Sequence, residues 1–159
     1  MPSNSKTPDE HQALPPVTEE ERRGWPTDAV MNVCAEFEDG RGQIIPILDT
    51  TMKSALLINS VRGAVRANHY HKTDWHYCYF TKGRAEYIYR PVGSRITPHV
   101  TRVEAGQMIF TPPMMEHAVV FTEESSMLTL SRNPRGQTLY EADIVRIEPL
   151  EKLVDLADY

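Results

Sequence analysis

Three histidines between Gly63 and Gly83 constrain the fold of this chain more than any other feature of its sequence. His69 and His71 are two residues apart, so on a β-strand their side chains point to the same face. A short polar interruption follows, and a second β-prone run then brings His76 back beside the first two. The stretch therefore predicts a β-hairpin that gathers three imidazoles on one face.

A second segment, from Gly106 to His117, has a related pattern. It reads as a strand, a Pro-Pro corner and a new strand that opens on the histidine and continues into the apolar run 118–121. Imidazole nitrogens that converge in this way suit a divalent transition ion, which here is Fe, Zn, Mn, Ni or Cu. Four histidines, namely His69, His71, His76 and His117, lie in strand contexts that could converge.

The two segments resemble the two motifs of the cupin superfamily. The first motif is Gly, five residues, His-x-His, three or four residues, Glu, six residues and Gly; the chain fits every interval, with His76 in place of the usual glutamate. In the second motif the first glycine, the proline and the histidine are present, with Met114 in place of Gly and Phe121 in place of Asn. The resemblance implies an all-β fold, the double-stranded β-helix or jelly-roll barrel of the cupins. The intervals of the two motifs also imply that His69, His71, His76 and His117 bind one divalent transition ion.

The rest of the chain agrees with a barrel. Short β-prone segments separated by turn residues continue from residue 29 to residue 131, a spacing typical of a sandwich or barrel. Residues 1–26 hold five of the twelve prolines and many charges, so we expect a flexible N-terminal tail followed by one barrel domain over 27–159. Within the tail, Thr18 and Glu21 have the spacing of a capping box. A short amphipathic C-terminal helix is predicted from the spacing of Leu150, Leu153, Val154 and Leu156.

Composition excludes several classes of partner. The formal net charge of −5 argues against nucleic acid or an anionic membrane, because both attract a basic face. No apolar run approaches the roughly 18 residues of a membrane span, and no signal segment is visible at the N-terminus. Cys34 and Cys78 are too few for a disulfide framework, so each is expected to be a small buried hydrophobe in a reducing compartment. We therefore expect a cytoplasmic protein with a small-molecule substrate.

Within the superfamily the chain resembles cupins that isomerise or epimerise nucleotide-linked 4-keto sugars. Residues 38–42, 62–72 and 140–146 are similar to stretches of that branch. In its metal-free ketoisomerases the two histidines of the His-x-His act as acid and base, whereas the additional His76 and His117 favour a relative that binds a metal. The predicted catalytic tyrosines are Tyr77, Tyr89 and Tyr140, and the predicted ligands of an anionic substrate group are Arg41, Arg66 and Lys72.

Three functions remain open at this point. The first is a metal-dependent isomerase or epimerase that abstracts a proton next to a carbonyl and stabilises the enediolate. The second is a mononuclear non-haem iron dioxygenase, and the third is a metal-binding cupin without catalysis. The edge strands of the barrel predict a homodimer, to which the tail before Gly24 contributes an arm. The remaining histidines, His11 and His99, are predicted to lie in the tail and in a loop.

Overall fold

The computed structural model describes residues 14–156 of the chain. Short antiparallel strands dominate these residues, and only brief helical segments separate them. In chain order the elements are α1 (Glu19–Arg23), β1 (Val30–Asn32), β2 (Phe37–Asp39), β3 (Gly42–Ile44), β4 (Ser54–Ser60), β5 (Val65–His71), β6 (His76–Lys82), β7 (Arg84–Pro91), β8 (His99–Glu104), β9 (Gln107–Thr111), β10 (Met115–Phe121), β11 (Ser125–Ser131), α2 (Gln137–Asp143), β12 (Ile144–Arg146) and a 3-10 helix (Leu150–Leu153).

Two five-stranded sheets form the barrel. Their strand orders are β1-β9-β6-β11-β4 and β12-β5-β10-β7-β8, and every pairing is antiparallel. Neighbouring strands are mostly distant in sequence, which is the jelly-roll arrangement. The predicted all-β cupin fold is therefore confirmed. Among residues 14–156, no helix is long and apolar enough to cross a membrane.

The core lies between the inner faces of the two sheets. Cys78 and Phe80 of β6 pack there with Val119 and Phe121 of β10, because alternate side chains of a strand share a face. The ring centroids of Phe80 and Phe121 are 6.2 Å apart, and both side chains are fully buried. Burial of each phenylalanine contributes about 1.5–3 kcal/mol to the stability of the fold. These inward faces agree with the alternation that the sequence predicts.

The outer face of the first sheet is also apolar. Trp75, Tyr77 and Phe110 form part of a second buried cluster on this face. The cluster is covered by partly buried residues that precede β1 or lie between β3 and β4, including Trp25 and Leu48. The two tyrosines of β6, Tyr77 and Tyr79, therefore face away from the barrel interior, whereas Phe80 faces into it.

Arg132 anchors the segment around α1 to the barrel. Its guanidinium bonds both carboxylate oxygens of Glu21 and donates to the carbonyl oxygens of Pro15 (2.8 Å) and Pro16 (3.0 Å). The predicted capping box is present, since Thr18 Oγ1 accepts from Glu21 N–H and the Glu21 carboxylate accepts from Thr18 N–H. The division into tail and barrel at residue 26 stays a prediction, and residues 1–13 with His11 lie outside the described residues.

We expect Arg132→Gln to lower the free energy of unfolding by about 2–3 kcal/mol, because it leaves a partly buried carboxylate without its ion pair. Burial of Glu21 opposes its charge, but hydrogen bonds from Arg132, Thr18 and Trp75 prevail and hold its pKa at about 2. The difference in free energy of unfolding between wild type and variant should thus have its full value above pH 4.5 and disappear as the pH falls towards 2. Urea unfolding at several pH values measures this. Arg22→Gln, at an exposed pair, is the control and should change stability by less than about 0.5 kcal/mol.

Helix α2 was not predicted. The predicted short C-terminal helix is present as the 3-10 helix, in which Leu150 is fully buried against β7 and β10. Two local predictions need correction. His99 is not in a loop but begins β8, paired with Tyr89. Cys34 is exposed, because it lies in the irregular segment between β1 and β2, whereas Cys78 is buried as predicted.

Candidate functional site

A cavity of about 190 Å³ lies inside the barrel at the ends of β5, β6 and β10. All four predicted metal ligands line it, and α2 adds Leu139, Tyr140 and Asp143. His71, His76 and His117 are buried, while His69 is half-buried. The structure thus brings together histidines that are far apart in the chain.

A β-bulge in β5 decides which side chains reach the cavity. Ala67 and Asn68 both have positive φ, of 71° and 52°, and one residue is inserted between the pairs His117–His69 and Ala118–Ala67. Arg66 therefore lines the cavity together with His69, whereas Val65 is 40% exposed. Simple alternation along β5 from His69 predicts that Val65 points inward, and the bulge is the reason that this prediction is wrong.

In the second motif, the residue that replaces the glycine keeps the backbone conformation of a glycine. Met114, at the position of the motif glycine, has φ of 59°, a conformation in which glycine is favoured. Its N–H donates to the carbonyl oxygen of His71 at 2.8 Å, so this strained turn ties the β9–β10 corner to the histidine strand. Strain of about 1–3 kcal/mol at such a residue persists only where surrounding structure holds it.

The four imidazoles form one continuous cluster. Ring centroids are 4.8 Å apart for His69 and His71, 4.9 Å for His69 and His117, 5.2 Å for His71 and His76, and 5.5 Å for His76 and His117. Within the described chain, two groups have ligand atoms that all lie within 4.8 Å of one another. They are His69, His71 and His117, and His71, Asp74 and His76. His71 belongs to both groups.

The outer contacts of the histidines orient them as ligands. His71 Nδ1 is 3.0 Å from Asp143 Oδ2, and His117 Nδ1 is 2.9 Å from the Met115 carbonyl oxygen. In the neutral tautomer that donates Nδ1–H to such a partner, the lone pair is on Nε2. Metal-binding histidines in proteins are typically held in this way. These residues therefore fit a divalent transition ion, although binding of an ion stays a prediction.

The protonation preferences of the cluster are divided. Burial, and then the proximity of His71 and His76, lower the pKa of His69 to about 3. Burial also lowers the pKa of His71, against the opposing effect of Asp143, and holds that of His117 well below 6.5. For His76, burial favours the neutral form, but contacts with Asp74 and Cys78 prevail and raise its pKa to about 10. The cavity combines three neutral imidazoles with one that prefers to be charged.

Two carboxylates in the site were not predicted. Asp143 accepts hydrogen bonds from Thr73 N–H (2.8 Å), Thr73 Oγ1 (2.6 Å) and Asp74 N–H (3.1 Å), besides its contact with His71. Burial opposes its charge, but these bonds, that of His71 first, hold the pKa of Asp143 at about 2. Asp74 Oδ2 is 3.7 Å from His76 Nδ1. The only sequence signal for Asp74 was its position two residues before His76. The only one for Asp143 was that it lies in the segment 140–146, which is similar to the nucleotide-sugar branch of the cupins.

Of the three predicted catalytic tyrosines, only one lines the cavity. Tyr140 lines the cavity, with its ring centroid 6.0 Å from that of His71 and 6.3 Å from that of His69. Tyr77 lies in the outer cluster, and Tyr89 is not among the residues that line the cavity but stacks on Tyr87 at 4.8 Å. Tyr87 does reach the cavity, where its hydroxyl bonds Thr111 Oγ1 at 2.8 Å. Tyr140 is therefore the tyrosine that we consider for catalysis.

The predicted cationic residues are also separated. Arg66 lines the cavity, whereas Lys72 is exposed and donates to the carbonyl oxygen of Ala142 at 3.0 Å. Arg41 lies on the exposed β2–β3 hairpin and pairs with Asp39 at 2.6 Å. Among these three, only Arg66 is placed to contact a ligand in the cavity of this chain.

No protein-family model and no curated protein matches the sequence. Solved structures do match it. A sugar 3,4-ketoisomerase from Thermoanaerobacterium thermosaccharolyticum in complex with TDP aligns with a TM-score of 0.60 at 17% identity, over 76% of this chain and 90% of that one. A dTDP-4-dehydrorhamnose 3,5-epimerase from Sulfolobus tokodaii aligns with a TM-score of 0.60 at 18% identity, over 76% of each chain. A 3'-monoepimerase from Streptomyces bikiniensis in complex with dTDP-quinovose aligns with a TM-score of 0.64 at 14% identity, over 77% and 70%.

The chain has the fold of these enzymes. They are isomerases and epimerases, the classes of enzyme in the cupin branch that the sequence resembles. The structure of the ketoisomerase holds TDP, and that of the 3'-monoepimerase holds dTDP-quinovose. At these identities the likeness establishes the architecture alone. The function of the cavity depends on its own side chains.

Proposed function

We propose that this chain is a sugar isomerase or epimerase, which moves a proton at the carbon next to the carbonyl of a nucleotide-linked keto sugar. The observation that carries the proposal is the pair of neighbouring histidines with opposite protonation preferences. Asp143 contacts His71 and Asp74 contacts His76, with the two rings 5.2 Å apart. Titratable groups whose pKa values are driven apart in one cavity are suited to act as base and acid. The fold neighbours support the class of substrate.

Each group has a defined role in this reaction. His71 Nε2 takes the proton from carbon, and Asp143 stabilises the imidazolium that forms. The electron pair moves into the carbonyl, and the cationic His76 stabilises the enediolate oxygen with a hydrogen bond. Return of a proton to the same carbon from the other face gives the epimer. Return to the former carbonyl carbon gives the isomer, provided that the hydroxyl proton of the first carbon moves to the former carbonyl oxygen of the enediolate. Tyr140 is the neutral donor beside His69 and His71 for that second transfer.

A bound divalent ion is a separate part of the proposal. His69, His71, His76 and His117 would hold it, and it would supply a Lewis acid for the enediolate oxygen. With those ring nitrogens occupied, Tyr140 is the group that remains to move the proton. Elemental analysis of the purified protein, and activity before and after chelation, distinguish the two arrangements: full activity of metal-free protein would support the two histidine–carboxylate pairs alone.

The reaction is tested by proton NMR in D₂O with a TDP-linked 4-keto-6-deoxyhexose. We expect deuterium to enter the carbon next to the carbonyl, followed by the isomer or epimer. His99→Ala, which changes a histidine outside the cavity, should behave as wild type. Absence of exchange with several keto sugars, with and without added metals, would contradict the proposal. Substrate-dependent oxygen uptake by the iron-loaded protein would support the dioxygenase alternative instead, and metal binding without either activity would support the non-catalytic one.

We also propose a homodimer. The β2–β3 hairpin pairs with no other strand among the described residues, and its Phe37 and Ile44 side chains are 49% and 62% exposed. Strand β4 is at the edge of its sheet and exposes Leu57. Apolar edges of this kind are normally covered. Light scattering should give about twice the mass of one chain, and removal of residues 1–24 should weaken association; a monomer at micromolar concentration would contradict the dimer.

A further inference from the structure

Arg135 was not among the residues that the sequence singled out, yet it lines the cavity. It lies in the connection between β11 and α2, of which Asn133 and Pro134 also line the cavity. Its guanidinium carbon is 4.1 Å from the centroid of the Tyr140 ring. The residue thus belongs to the part of the cavity wall that α2 provides.

Arg135 differs from most arginines of the described chain in its lack of a carboxylate partner. Arg90, Arg132 and Arg146, for example, each bond a glutamate within 3.0 Å. In residues 14–156, Arg135 has no ion pair or hydrogen bond, and Arg66 bonds only the Ser60 hydroxyl (2.8 Å) and a carbonyl oxygen. Two guanidinium groups with unpaired charge therefore line one cavity.

The carboxylates of the cavity do not neutralise them. Asp143 is occupied by His71, Thr73 and the Asp74 N–H, and Asp74 accepts from the Asn133 N–H at 2.8 Å and faces His76. An anion brought by a ligand would meet excess positive charge at this wall. Such a wall attracts anions.

The contact with the Tyr140 ring orients the Arg135 guanidinium before an anionic ligand binds. A guanidinium that lies over an aromatic ring uses its face for that contact, and its N–H donors lie in the plane of the group. The stack also restricts the side chain, so less conformational entropy is lost when an anion binds. The in-plane donors match the paired oxygens of a phosphate group.

We propose that Arg135 is a specificity-determining residue, which binds a phosphate group of the substrate, with Arg66 as a second contact. The cavity would thereby select phosphorylated ligands, such as a nucleoside diphosphate sugar, over the free sugar. This inference rests on the proposed function for the identity of the substrate. The phosphate site itself rests on the placement of the two arginines.

Calorimetric titration of the full chain with inorganic pyrophosphate and with TDP tests the inference. We expect Arg135→Gln to raise the dissociation constant of both probes by about 10- to 100-fold, the effect of losing a charge-assisted hydrogen bond in a partly enclosed site. Arg135→Lys keeps the charge without the planar fork and should recover only part of the loss. Arg102→Gln removes the same charge outside the cavity, where the exposed Arg102 of β8 pairs with Glu86 of β7, and should leave binding unchanged.

Tyr140→Phe separates binding from catalysis. It keeps the ring on which Arg135 stacks, so pyrophosphate affinity should stay within about twofold of wild type while turnover falls. Equal binding by wild type and Arg135→Gln, or no binding of either probe by wild type, would overturn the inference. Because pyrophosphate carries no sugar, these results do not depend on the reaction: a phosphate site without deuterium exchange would refute only the proposed function.

Discussion

Asp143→Asn is expected to lower turnover by about 10²- to 10⁴-fold, because His71, the general base, loses the carboxylate that orients its ring and stabilises its cation. The variant keeps the size of the side chain but cannot stabilise an imidazolium at His71, from which Asp143 Oδ2 is 3.0 Å. Its amide group also cannot satisfy all the donors that the carboxylate accepts, Thr73 and Asp74 N–H included. We therefore expect a lower melting temperature as well, and rates should be compared where both proteins are folded.

The pH dependence distinguishes a catalytic effect from a purely structural one. In wild type, burial lowers the pKa of His71 while Asp143 opposes that shift, so the acid limb of the rate profile should lie below pH 6.5. Removing the carboxylate should move this limb to lower pH. Glu141→Gln is the control, because it changes an exposed acid of the same helix that pairs with Arg146. An Asp143→Asn protein with near-normal turnover would remove the His71–Asp143 pair from the mechanism.

The second large effect concerns metal binding. We expect one divalent ion per chain after reconstitution, with His117→Ala or His71→Ala lowering its affinity by more than about 100-fold, since each removes a ligand rather than an outer contact. His99→Ala also removes an imidazole, but one outside the cavity, and should have no effect. Titration with Zn²⁺ and Mn²⁺ measures this. Equal affinity in all these variants, or none in wild type, would contradict the four-histidine site.

Two variants of His76, which replaces the glutamate of the first cupin motif, test whether this residue is a metal ligand. His76→Glu should retain more metal than His76→Ala, since a carboxylate is also a ligand. The buried Asp74 lies beside this position, so without metal the variant places two carboxylates together and should melt at a lower temperature than wild type. Added metal should restore much of the loss. If Glu loses metal as fully as Ala, His76 is not a ligand.

The sequence alone determined the barrel and the convergence of its histidines. The two-residue period of a strand places His69 and His71 on one face, and the intervals of the two motifs bring His76 and His117 to the same end of the barrel. Strands β4 and β5 are among the short β-prone segments predicted between residues 29 and 131, because β-prone runs and flanking turn residues are local signals. The histidine cluster was therefore predictable.

Only the tertiary structure decided which other residues join that cluster. Asp143 contacts His71 across 72 residues of sequence through the β5–β12 pairing, which no local pattern reveals. The bulge after Arg66 inverts the alternation on part of β5, so that this arginine lines the cavity, and α2 brings Arg135 and Tyr140 to it. Periodicity assigns a side chain to a face of its own strand. Bulges, crossovers and distant pairings determine what that face meets, and they depend on the packing of the whole barrel.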